Sequence, residues 1–155
     1  MPEIPTILVA EDRTDDVELL ERMFKKAKVL NPLQVVDSVE SAIWYFKGEG
    51  VYKDRKNYPF PILVLLDLHL NDGSGFEVLE WLQAHPTKSP LAVVVLTGSD
   101  VRAVRRSYAL GAHSFLVKPL KFEDFENMIS HMRGIKLTGS KTGRLVQTDP
   151  QSLLK

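Results

Sequence analysis

Cysteine is absent from the 155 residues. That removes disulfides, thiolate metal sites and cysteine nucleophiles, and it fits a reducing compartment. An excess of charge is missing too. The 20 lysines and arginines balance the 20 aspartates and glutamates, so the whole chain carries no electrostatic footprint for nucleic acid. No apolar run approaches the roughly 18–20 residues that cross a bilayer. The opening Met1-Pro2-Glu3-Ile4-Pro5 has no basic stretch followed by an apolar one, so no signal peptide is expected. A soluble, cytoplasmic protein is the expectation. What remains is ordinary for a globular domain, 44% hydrophobic and 26% charged, and the length predicts one domain with one substantial core.

Short apolar runs alternate with amphipathic segments. Thr6 to Ala10 reads as a strand. Thr14 is placed to cap a helix with Val17, Leu20, Phe24 and Ala27 at helical spacing, ending near Asn31-Pro32. Leu33 to Val36 is a second strand, and Ser38 caps a helix with Val39, Ala42, Ile43 and Phe46 on one face. Gly48 to Pro61 reads as a long exposed loop. Ile62 to Leu66 is the third strand, followed by a turn at Gly73-Ser74-Gly75 and a helix with Phe76, Leu79 and Leu82 inward. Ala92 to Leu96, a helix from Asp100 to Leu110 closed by Gly111, Ser114 to Val117, and a helix marked by Phe122, Phe125, Met128, Ile129 and Met132 complete the series. Strands alternating with helices predict a parallel sheet covered on both faces. From Gly134 the pattern fades. Residues 133–155 carry five basic residues against the single acid Asp149, so 1–133 is expected to be the domain and 134–155 a flexible tail.

In an open α/β sheet, ligands bind beyond the carboxyl ends of the strands. Those ends carry Glu11 and Asp12, then Asp67, then Thr97, then Lys118 followed by Pro119. Three carboxylates brought together repel one another and need a counter-charge. Oxygen-only ligands favour a hard cation such as Mg²⁺. A metal held by carboxylates neutralises the oxygens of a transferring phosphoryl group, lysine adds a second positive charge, and a threonine hydroxyl can donate to a phosphoryl oxygen. One carboxylate can then act as nucleophile and form an acyl phosphate. Asp67, on the central strand, is the candidate.

In this order and at these strand ends, Glu11-Asp12, Asp67, Thr97-Gly98 and Lys118-Pro119 resemble the receiver domain of a two-component response regulator, the CheY-like family. Gly75, eight residues after Asp67, also matches. The resemblance covers about Thr6 to Met132 and implies a flavodoxin-like doubly wound (βα)5 fold with strand order 2-1-3-4-5. It implies that Asp67 is the phosphoacceptor, that Asp12 ligates Mg²⁺ directly and Glu11 through water, and that Asp67 and the backbone carbonyl of His69 complete the protein ligands. Thr97 and Lys118 would contact the phosphoryl group, Phe115 would be the switch aromatic, and Lys118-Pro119 would be a cis peptide. A sensor histidine kinase is the implied partner. With no DNA-binding segment following, output is expected through protein contact, dimerisation across helix 4, strand 5 and helix 5, or onward phosphotransfer. The Gly48–Pro61 loop and the Glu-Asp-Arg-Thr-Asp-Asp opening resemble, more narrowly, stand-alone regulators that serve phytochrome-type kinases.

Three positions bear on how such a site would work. Phe115 stands where tyrosine is more common, Asn71 stands where proline often stiffens the loop, and Gly98 leaves an open position beside the phosphoryl group. Two other functions compete with the signalling module. A phosphatase that forms an aspartyl-phosphate needs a second aspartate two residues after its nucleophile, where this chain has His69. A flavin carrier of the same fold needs a phosphate loop that Glu11-Asp12-Arg13 would repel. His69, His85, His113 and His131 show no paired ligand spacing, Trp44, Tyr45 and Trp81 read as packing, and Arg102, Arg105 and Arg106 read as a solvated helix face or a partner surface.

Overall fold

The computed structural model describes residues 4–98 and 100–150. Residues 1–3, 99 and 151–155, the last of them the end of the expected tail, lie outside the described residues. Five parallel strands form the central sheet: β1 (Ile7–Ala10), β2 (Leu33–Val36), β3 (Leu63–Asp67), β4 (Ala92–Thr97) and β5 (Ser114–Val117). Their order is β2-β1-β3-β4-β5, the doubly wound arrangement expected from the alternation and the resemblance. Five helices connect and flank them: α1 (Thr14–Lys26), α2 (Val39–Lys47), α3 (Gly75–Ala84), α4 (Val101–Ala109) and α5 (Phe122–Ser130). No helix among the described residues is long and apolar enough to cross a membrane.

Strand pleating explains why the apolar runs are unbroken. Successive side chains point to opposite faces, so Ile7 and Val9 join one buried cluster while Leu8 and Ala10 join the other. Leu63 and Leu65 divide from Val64 and Leu66 in the same way. The first cluster takes Leu20 and Phe24 of α1 and Phe125, Met128 and Ile129 of α5. The second takes Val39, Ala42, Tyr45 and Phe46 of α2 and Val78 and Leu79 of α3. Both faces of the sheet are dry, and only the strand ends are free for polar chemistry.

Helix starts follow their caps. Ser38 accepts the Ser41 N–H at 3.0 Å while the Ser41 hydroxyl accepts the Ser38 N–H at 3.1 Å, a reciprocal box. Asp100 accepts from Arg102 N–H at 2.9 Å. Thr14 is not a cap. Arg13 occupies that position without a side-chain hydrogen bond, and Thr14 is the first helical residue. The favourable charge at this end comes instead from Asp15 and Asp16 in the first turn, which meet the positive end of the helix dipole.

Two segments differ from the sequence expectation. The Gly48–Pro61 stretch is pinned rather than loose. Arg55 donates to the carbonyls of Phe46 (2.9 Å) and Tyr58 (3.0 Å), and the Tyr45 hydroxyl donates to the Pro59 carbonyl at 2.8 Å. Rings of Tyr45, Tyr52 and Tyr58 pack together with centroids 5.0–6.2 Å apart. The larger correction concerns the expected flexible tail. Residues 134–149 form an antiparallel hairpin, β6 (Gly134–Ser140) and β7 (Gly143–Asp149).

The hairpin is docked by burial and by hydrogen bonds. Ile135 (3% exposed) and Val146 (0%) complete the first cluster. Asn31, itself buried, grips Val146 like a short strand: its Nδ2 donates to the Val146 carbonyl and its Oδ1 accepts the Val146 N–H, both at 2.8 Å. The same Nδ2 donates to the Pro5 carbonyl at 3.0 Å. Arg144 adds backbone bonds to Leu30 (2.9 Å) and Lys28 (2.7 Å), and its guanidinium donates to the Ala27 carbonyl at 2.7 Å.

Replacing Asn31 with alanine strands two buried peptide groups of Val146. Asn31→Ala should therefore lose about 2–3 kcal/mol of stability, read as a lower midpoint in urea unfolding. An unchanged midpoint would mean that the hairpin is not anchored there.

Candidate functional site

Strand register brings the polar ends to one rim. Ala10 pairs with Leu66, Asp67 with Leu96, and Thr97 with Val117. Glu11 therefore emerges beside Asp67, and Lys118 beside Thr97, whose carbonyl accepts the Lys118 N–H at 2.8 Å. Glu11, Asp67 and Thr97 are 2%, 4% and 6% exposed. Asp12 is half-buried, and oxygens of Glu11, Asp12 and Asp67 all lie within 4.8 Å of one another. The Lys118–Pro119 peptide is cis.

Lys118 Nζ sits among carboxylates. It donates to Glu11 Oε2 at 2.7 Å, to Asp16 Oδ2 at 2.9 Å and to Asp67 Oδ2 at 2.5 Å. Burial alone would lower its pKa, but the hydrogen bonds it donates to Asp67, Glu11 and Asp16 outweigh burial and hold the ammonium charged. The two inner acids are pushed apart. Burial and the neighbouring Asp67 carboxyl raise Glu11 to about 7, against the pull of Lys118 and the Arg13 N–H. Burial would raise Asp67 as well. There the hydrogen bond with Glu11, the His69 N–H at 2.8 Å and Lys118 win, and its pKa stays below the usual carboxylate value. Asp67 is thus the carboxylate kept ionised, as a nucleophile must be.

Four carboxylates (Glu11, Asp12, Asp16 and Asp67) face one lysine, with Arg13 Nε reaching only the outermost of them, Asp16, at 3.6 Å. Of these, Glu11, Asp12 and Asp67 form an all-oxygen donor set in excess negative charge, which fits a hard divalent cation of the Mg²⁺ type.

The loop after β3 is shaped around Asp67. His69–Leu70 and Gly73–Ser74 form a two-residue antiparallel ladder, and the Gly75 N–H returns to the Leu68 carbonyl at 3.0 Å. Gly75 begins α3 so close to β3 that a Cβ there would run into the backbone oxygen of Asp67 and lie 3.1 Å from Leu68 Cα. Ser74 caps α3 by accepting the Phe76 N–H at 3.1 Å. Asn71 stands in this loop at the position where the family often has proline. Its neighbour Asp72 supplies a tether, accepting Val39 N–H at 2.6 Å and Glu40 N–H at 3.1 Å at the start of α2.

The structure thus gathers Glu11, Asp12, Asp67, Thr97 and Lys118 at one place, with the His69 backbone joined to Asp67. Phe115 lies apart on β5, half-buried and edge-on to Tyr108 with centroids 6.2 Å apart, beside a groove between α4, β5 and α5. Gly98 is open: a Cβ there meets nothing within 4 Å. Two residues escaped the sequence reading. Asp16 stands in the first turn of α1, and nothing local shows that the helix carries it to a lysine 102 residues away. Asp72 looked like a turn residue, but its partners lie 32 and 33 residues earlier.

The family described as the response regulator receiver domain matches residues 7–130. A probable methanogenesis regulatory protein, FilR2, of Methanothrix harundinacea is 30% identical over 129 residues, 82% of this chain and 80% of that protein. The chain spans about half the length of several other curated relatives, 45% to 54%. Among solved structures, the bacteriophytochrome response regulator RtBRR is similar with a TM-score of 0.78 at 30% identity, over 98% of this chain and 88% of that one. The Mn(2+)-bound form of response regulator Rcp1 gives a TM-score of 0.66 at 31% identity, over 80% of this chain and 88% of that one.

Because the obstruction at Gly75 is backbone and cannot rotate away, Gly75→Ala should cost about 1–3 kcal/mol by overpacking and displace Asp67. Urea unfolding paired with calorimetric Mg²⁺ titration checks both. A variant with native stability and native Mg²⁺ affinity would show that the close approach of α3 to β3 is not required.

Proposed function

The chain belongs to the response regulator receiver domain family, the signalling module of two-component systems, and on that premise we propose that Asp67 accepts a phosphoryl group from a sensor histidine kinase. One observation carries this reading: the buried carboxylate held ionised, Asp67, has its Oδ1 fixed by the His69 N–H and its Oδ2 on the Lys118 ammonium. An Asp67 oxygen attacks phosphorus, the new O–P bond forms as the N–P bond to the kinase imidazole breaks, and that nitrogen takes up a proton. Asp67 needs no general base, because it carries no proton to lose. Lys118 follows the growing charge on the phosphoryl oxygens, and Thr97, one residue past the Leu96 that pairs with Asp67, offers its hydroxyl from the adjacent strand.

Glu11, Asp12, Asp67 and the His69 carbonyl are the groups that would hold Mg²⁺. When bound, the cation neutralises negative charge on the transferring group. Phosphorylation then biases a two-state surface. Thr97 and Lys118 draw inward, Phe115 follows, and the α4–β5–α5 face changes. Tyr108 (45% exposed) and Val117 (38% exposed) on that face support its use for dimerisation or partner contact. The bacteriophytochrome response regulator matched over 98% of this chain supports a phytochrome-type kinase as the partner. The open space at Gly98 admits water to the acyl phosphate and supports a short phosphorylated lifetime. A phosphatase reading gains nothing here, since the residue two beyond Asp67 meets it through a backbone N–H and not through a second carboxylic acid.

Incubation with acetyl phosphate and Mg²⁺ should add one phosphoryl group, seen by intact mass, and Asp67→Asn or removal of Mg²⁺ should abolish the gain. Modification that persists in Asp67→Asn, or never occurs in the native chain, would overturn the proposal.

A further inference from the structure

Lys118 has three N–H donors, and Glu11, Asp16 and Asp67 take all three. A phosphoryl oxygen arriving at Asp67 can win the ammonium only if one of those partners lets go. Glu11 and Asp67 belong to the acidic triad and are almost fully buried. An uncompensated carboxylate there would be costly. Asp16 is different on three counts. It stands on α1 outside the triad, its side chain is 29% exposed to water, and Arg13 Nε lies 3.6 Å away as a second cation.

The geometry points to Asp16 as a positioning residue that competes with the phosphoryl group for Lys118. In the unmodified chain it holds the ammonium toward the start of α1, and phosphorylation exchanges the Lys118–Asp16 bond for a Lys118–phosphoryl bond, leaving Asp16 to water and Arg13. Asp16 thus sets how tightly the phosphoryl group is held without touching it. This inference rests on the phosphoryl-acceptor reading and adds a contact that the receiver motif residues do not include.

Beryllofluoride serves as the phosphoryl probe, titrated at saturating Mg²⁺ and followed by ¹⁹F NMR. Losing an exposed charge-assisted bond predicts that Asp16→Asn binds it about 3- to 10-fold more tightly than the native chain. Asp16→Glu, which keeps the carboxylate, should lie close to native. Asp15→Asn removes the same charge from an exposed neighbour that does not touch Lys118, and should change affinity by less than about 2-fold, because exposed charges are screened. Equal beryllofluoride affinities for Asp16→Asn and native protein, or equal tightening by Asp15→Asn, would overturn the inference and leave the phosphoryl-acceptor reading standing. Failure of the native chain to bind beryllofluoride with Mg²⁺ would overturn both.

Discussion

The ammonium of Lys118 is the constraint around which the site is organised. Carboxylates of Glu11 and Asp67, each almost entirely out of water, cannot stay together ionised without a cation between them. Lysine supplies that cation from the neighbouring strand end and bonds both, and its backbone N–H is fixed to Thr97 in the same stroke. Because lysine is one charge against four acids, the arrangement stays short of positive charge. That shortfall is the chemical property a receiver site needs. It suits the triad to a divalent cation, and it leaves Glu11 pushed toward neutrality while Lys118 and the His69 N–H keep Asp67 ionised.

The fold holds this local balance in place through rigid connections. Sheet register places the four strand ends to within two residues of each other, and the two buried clusters on either side of the sheet leave little slack to relieve charge by moving strands. The loops carry the adjustable parts. Gly75 lets α3 start against Asp67, Asp72 ties the loop after β3 to α2, and Asp16 brings α1 into contact with Lys118. Three flanking helices are thus tied to the site or to the loop that follows Asp67.

Much of this was legible in the sequence, for identifiable reasons. Unbroken apolar runs ending in charge marked the strands and placed Glu11, Asp12, Asp67, Thr97 and Lys118 at their carboxyl ends. Ser38 announced its helix by cap chemistry together with the apolar face of Val39, Ala42, Ile43 and Phe46, whereas Asp100, read as the first helical residue, is the cap. The hairpin at 134–149 was illegible because its two-residue turn, Lys141-Thr142, lacks the glycine and asparagine that mark tight hairpins. Its basic residues resembled a solvated tail, and its anchor, the Asn31 side chain, lies more than 100 residues away in sequence. Thr14 misled because a good capping residue sat one position inside the helix. Asp16 and Asp72 were hidden for one reason: their partners are set by tertiary packing, and their local settings, a first helical turn and a tight turn, already explain an aspartate.

The central claim is that Lys118 and a hard cation balance the same carboxylates. Unfolding of Lys118→Met in urea at neutral pH, with and without Mg²⁺, tests it most directly. Removal of the lysine leaves buried acids uncompensated, so the variant should be destabilised by about 3 kcal/mol or more, and Mg²⁺ should restore much of the loss while stabilising the native chain less. A deficit that is the same with and without Mg²⁺ would contradict the account.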